Sequence, residues 1–123
     1  MKTHESRENY LEAILILEQN GKVRAIDVAH HMQFSKPSVS RAMSLLKNEN
    51  LISVDTSGHI ELTQEGRNMA ERIYERHRLL ANYLQALGVS PRVAAEDACR
   101  IEHVISEESF EKIKAHVSKH LKK

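Results

Sequence analysis

Residues 25–47, AIDVAHHMQFSKPSVSRAMSLLK, decide the fold of this chain. Their first part, residues 25–32, is typical of a short helix with apolar residues facing inward at Val28, Ala29 and Met32. Gln33-Phe34-Ser35 then forms a turn, and Ser35 is a good N-cap for a second helix. Pro37 fits the first turn of that helix, because the N–H that proline lacks would have no helical partner there. Two helices joined by three residues predict a helix-turn-helix.

The second of these helices has two different faces. Its buried stripe is Val39, Met43 and Leu46. Hydroxyls and lysines bind phosphates, and arginine can donate two hydrogen bonds to guanine. The net charge of +1 does not by itself indicate nucleic acid, but residues 22–47 carry a local surplus of basic residues. An ordinary solvated amphipathic helix is the alternative, and DNA contact is the better prediction. The candidate DNA-contacting residues are Lys36, Pro37, Ser38, Ser40, Arg41, Ser44 and Lys47.

The flanking segments predict a winged helix-turn-helix. Residues 51–55 and 59–62 alternate with a period of two around Thr56-Ser57-Gly58, which favours a short β-hairpin. Such a wing would rest on the phosphate backbone. Upstream, residues 5–19 carry an apolar stripe and predict a first helix with Ser6 as its N-cap.

The second half of the chain predicts helices only. Thr63 precedes a long helix over residues 64–86, in which Arg76 and His77 interrupt or border the apolar stripe. Ser90-Pro91 starts a helix that we expect to run to Ile105, and a last helix follows to about Leu121. We therefore expect a mainly α fold. A DNA-binding domain would cover residues 1–63, and an all-helical dimerisation and metal-binding domain would cover residues 64–123.

Cys99, Glu102 and His103 are spaced i, i+3 and i+4 and would share one helical face. A thiolate, a carboxylate and an imidazole are three donors for a divalent metal ion. Taken alone, Cys99 fits a small buried apolar residue better than a metal ligand. The neighbouring glutamate and histidine favour a metal site.

Further donors lie on other predicted helices. Asn9 and Glu12 are three residues apart on the first helix, where they are either ligands or part of a solvated face. His77 is either a ligand or a boundary residue of the core. Together with the triplet they would fill one or two sites of five or six ligands. This mixed donor set fits ions from manganese to zinc, and it differs from the cysteine-rich sets of structural zinc sites.

Composition narrows the classes of protein. The chain has 123 residues, 41% hydrophobic and 4% aromatic, which suits a small, mainly helical protein. It shows neither a membrane span nor a signal peptide, and its single cysteine favours a reducing cytoplasm. A hydrolytic metalloenzyme is disfavoured, because no nucleophile–base pair is evident and the ligands would nearly saturate the ion.

Several motifs carry a resemblance to a known family. The chain resembles the metal-dependent repressors that include the diphtheria toxin repressor, the iron-dependent regulators and the manganese transport regulators. The resemblance covers nearly the whole length, and the sequence ending in Glu102-His103 is its most specific part. The motifs are ENYLE at 8–12, KPSVS at 36–40, LTQEG at 62–66, RHRLL at 76–80 and DACRIEH at 97–103.

The resemblance implies that Cys99, Glu102 and His103 are the primary ligands. Glu12 and His77 would serve a second ion, with Glu102 shared. Asn9 departs from the family pattern, in which Met or Asp occupies this position. Ala81 and Ala95 stand where the iron branch has further ligands.

The resemblance also implies a function. We expect a homodimeric, metal-activated repressor of the short two-domain form that binds a palindromic operator in double-stranded DNA. Its effector would be Fe(II), or alternatively Mn(II), with one or two ions per chain. Cys99 is typical of the iron branch and Glu12 of the manganese branch. The other class of protein that remains open is a winged-helix regulator that senses a small molecule or an oxidant through Cys99.

Overall fold

The computed structural model describes residues 4–120, with side chains described for residues 6–119. The chain forms two compact units, Met1–Arg72 and Ile73–Lys123. Helices predominate, and the two short strands form one antiparallel sheet, so the predicted fold class is confirmed. In chain order the elements are α1 (His4–Glu18), α2 (Ala25–Met32), α3 (Lys36–Asn48), β1 (Ile52–Val54), β2 (Ile60–Leu62), α4 (Gln64–Ala86), α5 (Pro91–Ile101) and α6 (Glu107–His120).

The first unit is built on α1, α2 and α3, which bury aliphatic side chains between them. The helix-turn-helix is present with the predicted bounds for α2 and the predicted start for α3. Ser35 is the N-cap of α3, and its hydroxyl accepts the backbone N–H of Ser38 at 3.3 Å. Gln33 takes the left-handed conformation with φ of 60°, which turns the chain between the two helices. The completely buried residues of these helices include Leu11, Ile14, Val28, Val39 and Leu46.

The β-hairpin is tied to the rest of the first unit at both ends. Ile52 pairs with Leu62, and Val54 pairs with Ile60. The N–H of Ile60 also donates to the carbonyl of Val23 at 2.7 Å, which attaches the hairpin to the segment before α2. The predicted wing is therefore part of the unit that carries the helix-turn-helix.

Thr63 joins the base of the hairpin to α4. Its N–H donates to the carbonyl of Leu51 at 3.0 Å, and its hydroxyl donates to the carbonyl of Asn50 at 2.8 Å. The same hydroxyl accepts the N–H of Gly66 at 3.1 Å, so Thr63 caps α4 as predicted. Gly66 lies against the chain here: a Cβ atom on it would be 2.0 Å from the carbonyl oxygen of Leu51.

Two predicted helix boundaries were wrong. Ser6 is not an N-cap, because α1 already includes His4. The helix predicted to reach Ile105 ends at Ile101, and Glu102 is its C-cap. Beyond this end, the side chain of Arg76 donates hydrogen bonds to the carbonyls of Glu102 and Ile105.

The second unit is all-helical. Its core contains Leu80, Ala81 and Ala98, with Ile101 and Ile113 packed against them. Phe110 of α6 is also buried. Across the part of the chain that the structure describes, no helix has both the length and the apolar character that crossing a membrane requires.

Candidate metal centre and nucleic-acid interface

The second unit brings Cys99, Glu102 and His103 together. One potential ligand atom from each residue, a sulfur, a carboxylate oxygen and a ring nitrogen, lies within 4.8 Å of the other two. Cys99 lies on the last turn of α5, Glu102 caps that helix, and His103 follows in the turn. The spacing that predicted a shared helical face therefore holds although the helix has ended, because Glu102 keeps right-handed helical dihedral angles.

Glu102 is the most deeply placed of the three residues. Its side chain has no exposed surface. Oε1 of its carboxylate lies 2.9 Å from Nδ1 of His77, within hydrogen-bond distance. Oε2 lies 3.3 Å from Nε2 of His103, yet it accepts no hydrogen bond from any described residue. One buried carboxylate oxygen is thus left without a hydrogen bond.

These surroundings fit a divalent cation. Burying an ionised carboxylate costs several kcal/mol unless a positive charge or hydrogen bonds compensate it. Ligand atoms about 2.0–2.3 Å from one ion lie up to about 4.6 Å apart, and the three donor atoms lie within 4.8 Å of one another before any ion is bound. A bound cation would compensate the negative charge of this carboxylate at Oε2, the oxygen that has no hydrogen bond from the described residues.

Cys99 and His103 differ in exposure. Cys99 is an exposed residue, so the interpretation of Cys99 as a small buried apolar residue was wrong. The imidazole of His103 is only 2% exposed. An exposed cysteine residue therefore lies next to a carboxylate and an imidazole that are almost completely buried.

The remaining predicted ligands lie in separate parts of the chain. His77 belongs to α4 in the second unit and is half-buried beside Glu102. Asn9 and Glu12 belong to α1 in the first unit, where Glu12 is buried and Asn9 is half-buried. The proposal that they help to bind a second ion stays a prediction.

Arg76 is a functional candidate that the sequence analysis missed. Nη1 of its buried guanidinium donates to the carbonyls of Glu102 at 3.1 Å and Ile105 at 2.9 Å. Nη2 donates to the carboxylate of Glu107 at 2.9 Å. An arginine at a position of the apolar stripe was the available signal, because a buried charge needs fixed partners.

The exposed face of α3 presents most of the predicted DNA-contacting residues to solvent. Lys36, Pro37, Ser40, Arg41, Ser44 and Lys47 are exposed. Ser38 is half-buried, and its hydroxyl accepts a hydrogen bond from the hydroxyl of Ser35 at 2.9 Å. The opposite face buries Val39, Ala42, Met43 and Leu46. The helix thus offers a cationic, hydroxyl-rich face on a rigid core.

Asp55 organises the tip of the hairpin. Its carboxylate accepts the backbone N–H groups of Ser57 at 2.9 Å and His59 at 2.8 Å. The hydrogen bond from the His59 N–H, with further contributions from Ser57 and the His59 ring, lowers the pKa of Asp55 below its ordinary value of 3.8. An exposed carboxylate thereby closes a turn of five residues.

We expect the conformation of this turn to depend on acid. Because the pKa of Asp55 is lower in the folded chain, the ionised carboxylate stabilises the folded turn. This stabilisation is complete above pH 3.8 and is lost as the pH falls through the lower pKa of the folded chain. The amide protons of Ser57 and His59 should then shift and exchange faster in an NMR titration. Asp55→Asn should show no such transition, and an unchanged transition in that variant would contradict the assignment.

The two units together define a class of protein. A winged helix-turn-helix followed by a helical unit with clustered thiolate, carboxylate and imidazole donors is a DNA-binding regulator that responds to a metal ion. Two family descriptions match the chain accordingly. "Iron dependent repressor, N-terminal DNA binding domain" matches residues 2–60, and "Iron dependent repressor, metal binding and dimerisation domain" matches residues 63–122. The chain therefore belongs to the iron-dependent repressor family, a family of metal-dependent transcriptional repressors.

Individual relatives include both iron and manganese regulators. The transcriptional regulator MntR of Escherichia coli O157:H7 is 33% identical over 114 residues, which cover 92% of this chain and 74% of the relative. The iron-dependent repressor IdeR of Mycobacterium tuberculosis is 35% identical over 107 residues, or 85% of this chain and 46% of the relative. The solved structure of the manganese regulator SloR is similar with a TM-score of 0.81 and 29% identity, covering 91% of this chain and 53% of SloR. The chain thus spans about half the length of IdeR and SloR.

Proposed function

We propose that this chain represses transcription when a divalent ion binds Cys99, Glu102 and His103, with His77 beside them. The observation that supports this most strongly is the completely buried carboxylate of Glu102, which lies between a thiol and an imidazole. One of its two oxygens has no hydrogen bond from the described residues. An ion there would supply the compensating charge. Without it, one carboxylate oxygen lies 2.9 Å from Nδ1 of His77 and the other lies 3.3 Å from Nε2 of His103.

We further propose that two copies of the chain bind a palindromic operator in the cytoplasm. The α3 helices of the dimer would enter successive major grooves, about 34 Å apart. Arg41 is the candidate for reading base edges, while Lys36, Lys47 and the serines would contact phosphates. The wing would lie on the adjoining phosphate backbone.

Metal binding and DNA binding would be linked through α1. The sequence resemblance predicts that Glu12, and more weakly Asn9, contribute ligands for a second ion together with His77 and Glu102. Ligands from both halves of the chain would restrict the first unit to the arrangement that fits the operator. Because such coupling is reciprocal, operator DNA should raise the affinity for the ion by the same factor that the ion raises the affinity for operator.

We propose Fe(II) as the preferred effector over Mn(II). Thiolate is a soft ligand, and it favours ions later than manganese in the first-row series. The closeness of the Cys99 sulfur to the carboxylate of Glu102 and the imidazole of His103 supports this role. Glu12 and the manganese regulators among the similar structures support Mn(II) as the alternative.

An anaerobic calorimetric titration of the metal-free protein with Fe(II) and with Mn(II) tests this proposal. We expect Fe(II) to bind more tightly than Mn(II), with one or two ions per chain. His103→Ala should lose metal-dependent operator binding in an electrophoretic mobility assay. His116→Ala, a histidine exposed on α6, is the matched control and should behave as the unmodified chain.

The outcomes separate the alternatives. Equal binding of the two ions, at two per chain, would indicate a manganese regulator that relies on Glu12, His77 and Glu102. Binding of neither ion, or metal-dependent repression by His103→Ala, would contradict the proposed site.

A further inference from the structure

Arg76 holds a buried positive charge next to the proposed metal ligands. Its guanidinium contacts the carbonyls of Glu102 and Ile105, the carboxylate of Glu107 and the face of the Phe110 ring, whose centroid lies 5.3 Å from Cζ. Of the three guanidinium nitrogens, only Nε has no hydrogen-bond acceptor among the described residues. Burying a guanidinium is unfavourable unless such partners are fixed in place. An apolar residue of similar size would fill the same space, so the contacts point to a role beyond packing.

The contacts of Arg76 fall on the turn that carries two of the ligands. This turn begins where α5 ends at Ile101 and finishes where α6 begins at Glu107. The carbonyls at the end of a helix have no amide partner within that helix. Nη1 donates to two carbonyls of the turn, so it fixes the backbone on both sides of His103.

Adjacent residues of α4 therefore hold Glu102 in two places. Arg76 donates to its backbone carbonyl at 3.1 Å. His77 lies 2.9 Å from its carboxylate. The first contact sets the position of the main chain, and the second sets the orientation of the side chain.

Building on the metal site proposed above, we propose that Arg76 is the positioning residue of that site. It arranges the backbone of residues 102–105 before an ion arrives, so that Glu102 and His103 already face each other. Its role is exerted through the main chain, since no atom of Arg76 belongs to the donor cluster. The fork of the guanidinium is essential, because a lysine ammonium lacks the planar geometry for two carbonyls and a carboxylate at once.

Titration of Arg76→Lys with Co(II) tests the proposal. We expect affinity to fall by about 10- to 100-fold, the range typical of residues that orient metal ligands. The thiolate-to-Co(II) charge-transfer absorption should also change in energy or intensity. A purely structural role would lower the urea midpoint without altering that spectrum at saturating Co(II).

Two control variants isolate the effect. Ile73→Val removes one methylene from a buried residue one turn earlier on α4, and it should destabilise the chain while preserving Co(II) affinity and spectrum. Glu107→Gln replaces the charged acceptor of Nη2 by a neutral amide and leaves both carbonyl acceptors of Nη1 in place. This variant should also preserve the Co(II) affinity and the Co(II) spectrum. If Arg76→Lys behaves like these controls, the proposal is wrong.

Hydrogen exchange of the unmodified protein provides a test that does not depend on the variant folding. The amides of Glu102, Val104 and Ile105 donate to the carbonyls of Ala98 and Ile101 at 2.9–3.0 Å. We expect them to be protected in the metal-free protein as strongly as the amides of α5. Protection that arises only after Co(II) is added would overturn the positioning role. Absence of Co(II) binding by the unmodified chain would instead overturn the metal site itself, so the two failures are distinguishable.

Discussion

Glu102→Gln should abolish metal binding without weakening the metal-free fold. The glutamine has nearly the same shape, so the packing around this completely buried side chain is retained. The substitution replaces a carboxylate by a neutral amide, and one oxygen of that carboxylate has no hydrogen bond from the described residues. Affinity for Fe(II) or Co(II) should fall by at least about 100-fold, because a carboxylate ligand is lost outright.

Glu102→Gln should therefore lower the metal affinity without lowering the stability of the metal-free chain. Because a buried charge is removed, the free energy of unfolding of the metal-free chain should stay level or rise by about 1 kcal/mol. Calorimetric titration measures the first effect, and urea unfolding measures the second.

Glu96→Gln is the matched control. It makes the same chemical change at an exposed glutamate of α5 that pairs with Arg92. Metal affinity should be unaffected in this variant. Wild-type affinity in Glu102→Gln, or a large loss of its metal-free stability, would show that the carboxylate serves the fold rather than an ion.

Gly66→Ala should unfold or severely weaken the first unit. A Cβ atom at this position would lie 2.0 Å from the carbonyl oxygen of Leu51 and 3.0 Å from its carbonyl carbon. Both are backbone atoms, so no side chain can rotate away. We expect a loss of about 3 kcal/mol or more in the free energy of unfolding, measured by urea denaturation.

Helix propensity alone predicts the opposite sign. Gly66 lies in the first turn of α4, where alanine would ordinarily be favoured by up to about 1 kcal/mol. Gly58→Ala is the control for loss of backbone freedom, because Gly58 has φ of +87° and no atom near the added Cβ. It should cost about 1–2 kcal/mol. Stabilisation by Gly66→Ala would mean that the close approach to Leu51 is not maintained in solution.

Local sequence signals were sufficient for most of the fold. The bounds of α2 and α4 follow from apolar spacing and from Thr63, whose hydroxyl does cap α4. The end of α5 did not follow, because residues 102–105 contain neither glycine nor proline. Instead, the carbonyl of Glu102 is bound by the side chain of Arg76, 26 residues away, and spacing along α5 does not contain that contact.

The candidate metal site also contains contacts that sequence spacing predicts and contacts that it does not. The i, i+3, i+4 spacing was enough to predict that Cys99, Glu102 and His103 lie close together, since the turn retains helical geometry at Glu102. The approach of His77 to Glu102 was implied only by the family resemblance. The contacts of Arg76 depend on how three segments pack, and sequence spacing along one helix does not determine them.

The hydrogen bonds at Thr63 give the hairpin a further property. Its chain leaves the helical body at Leu51 and returns at Thr63, where the N–H of Thr63 meets the carbonyl of Leu51 at 3.0 Å. The strands and their tip thus form a loop whose ends are already closed, and lengthening such a loop costs little entropy. The wing can therefore be extended, shortened or replaced at residues 56–58 while the helices stay in place, which makes its length an independently adjustable feature of this fold.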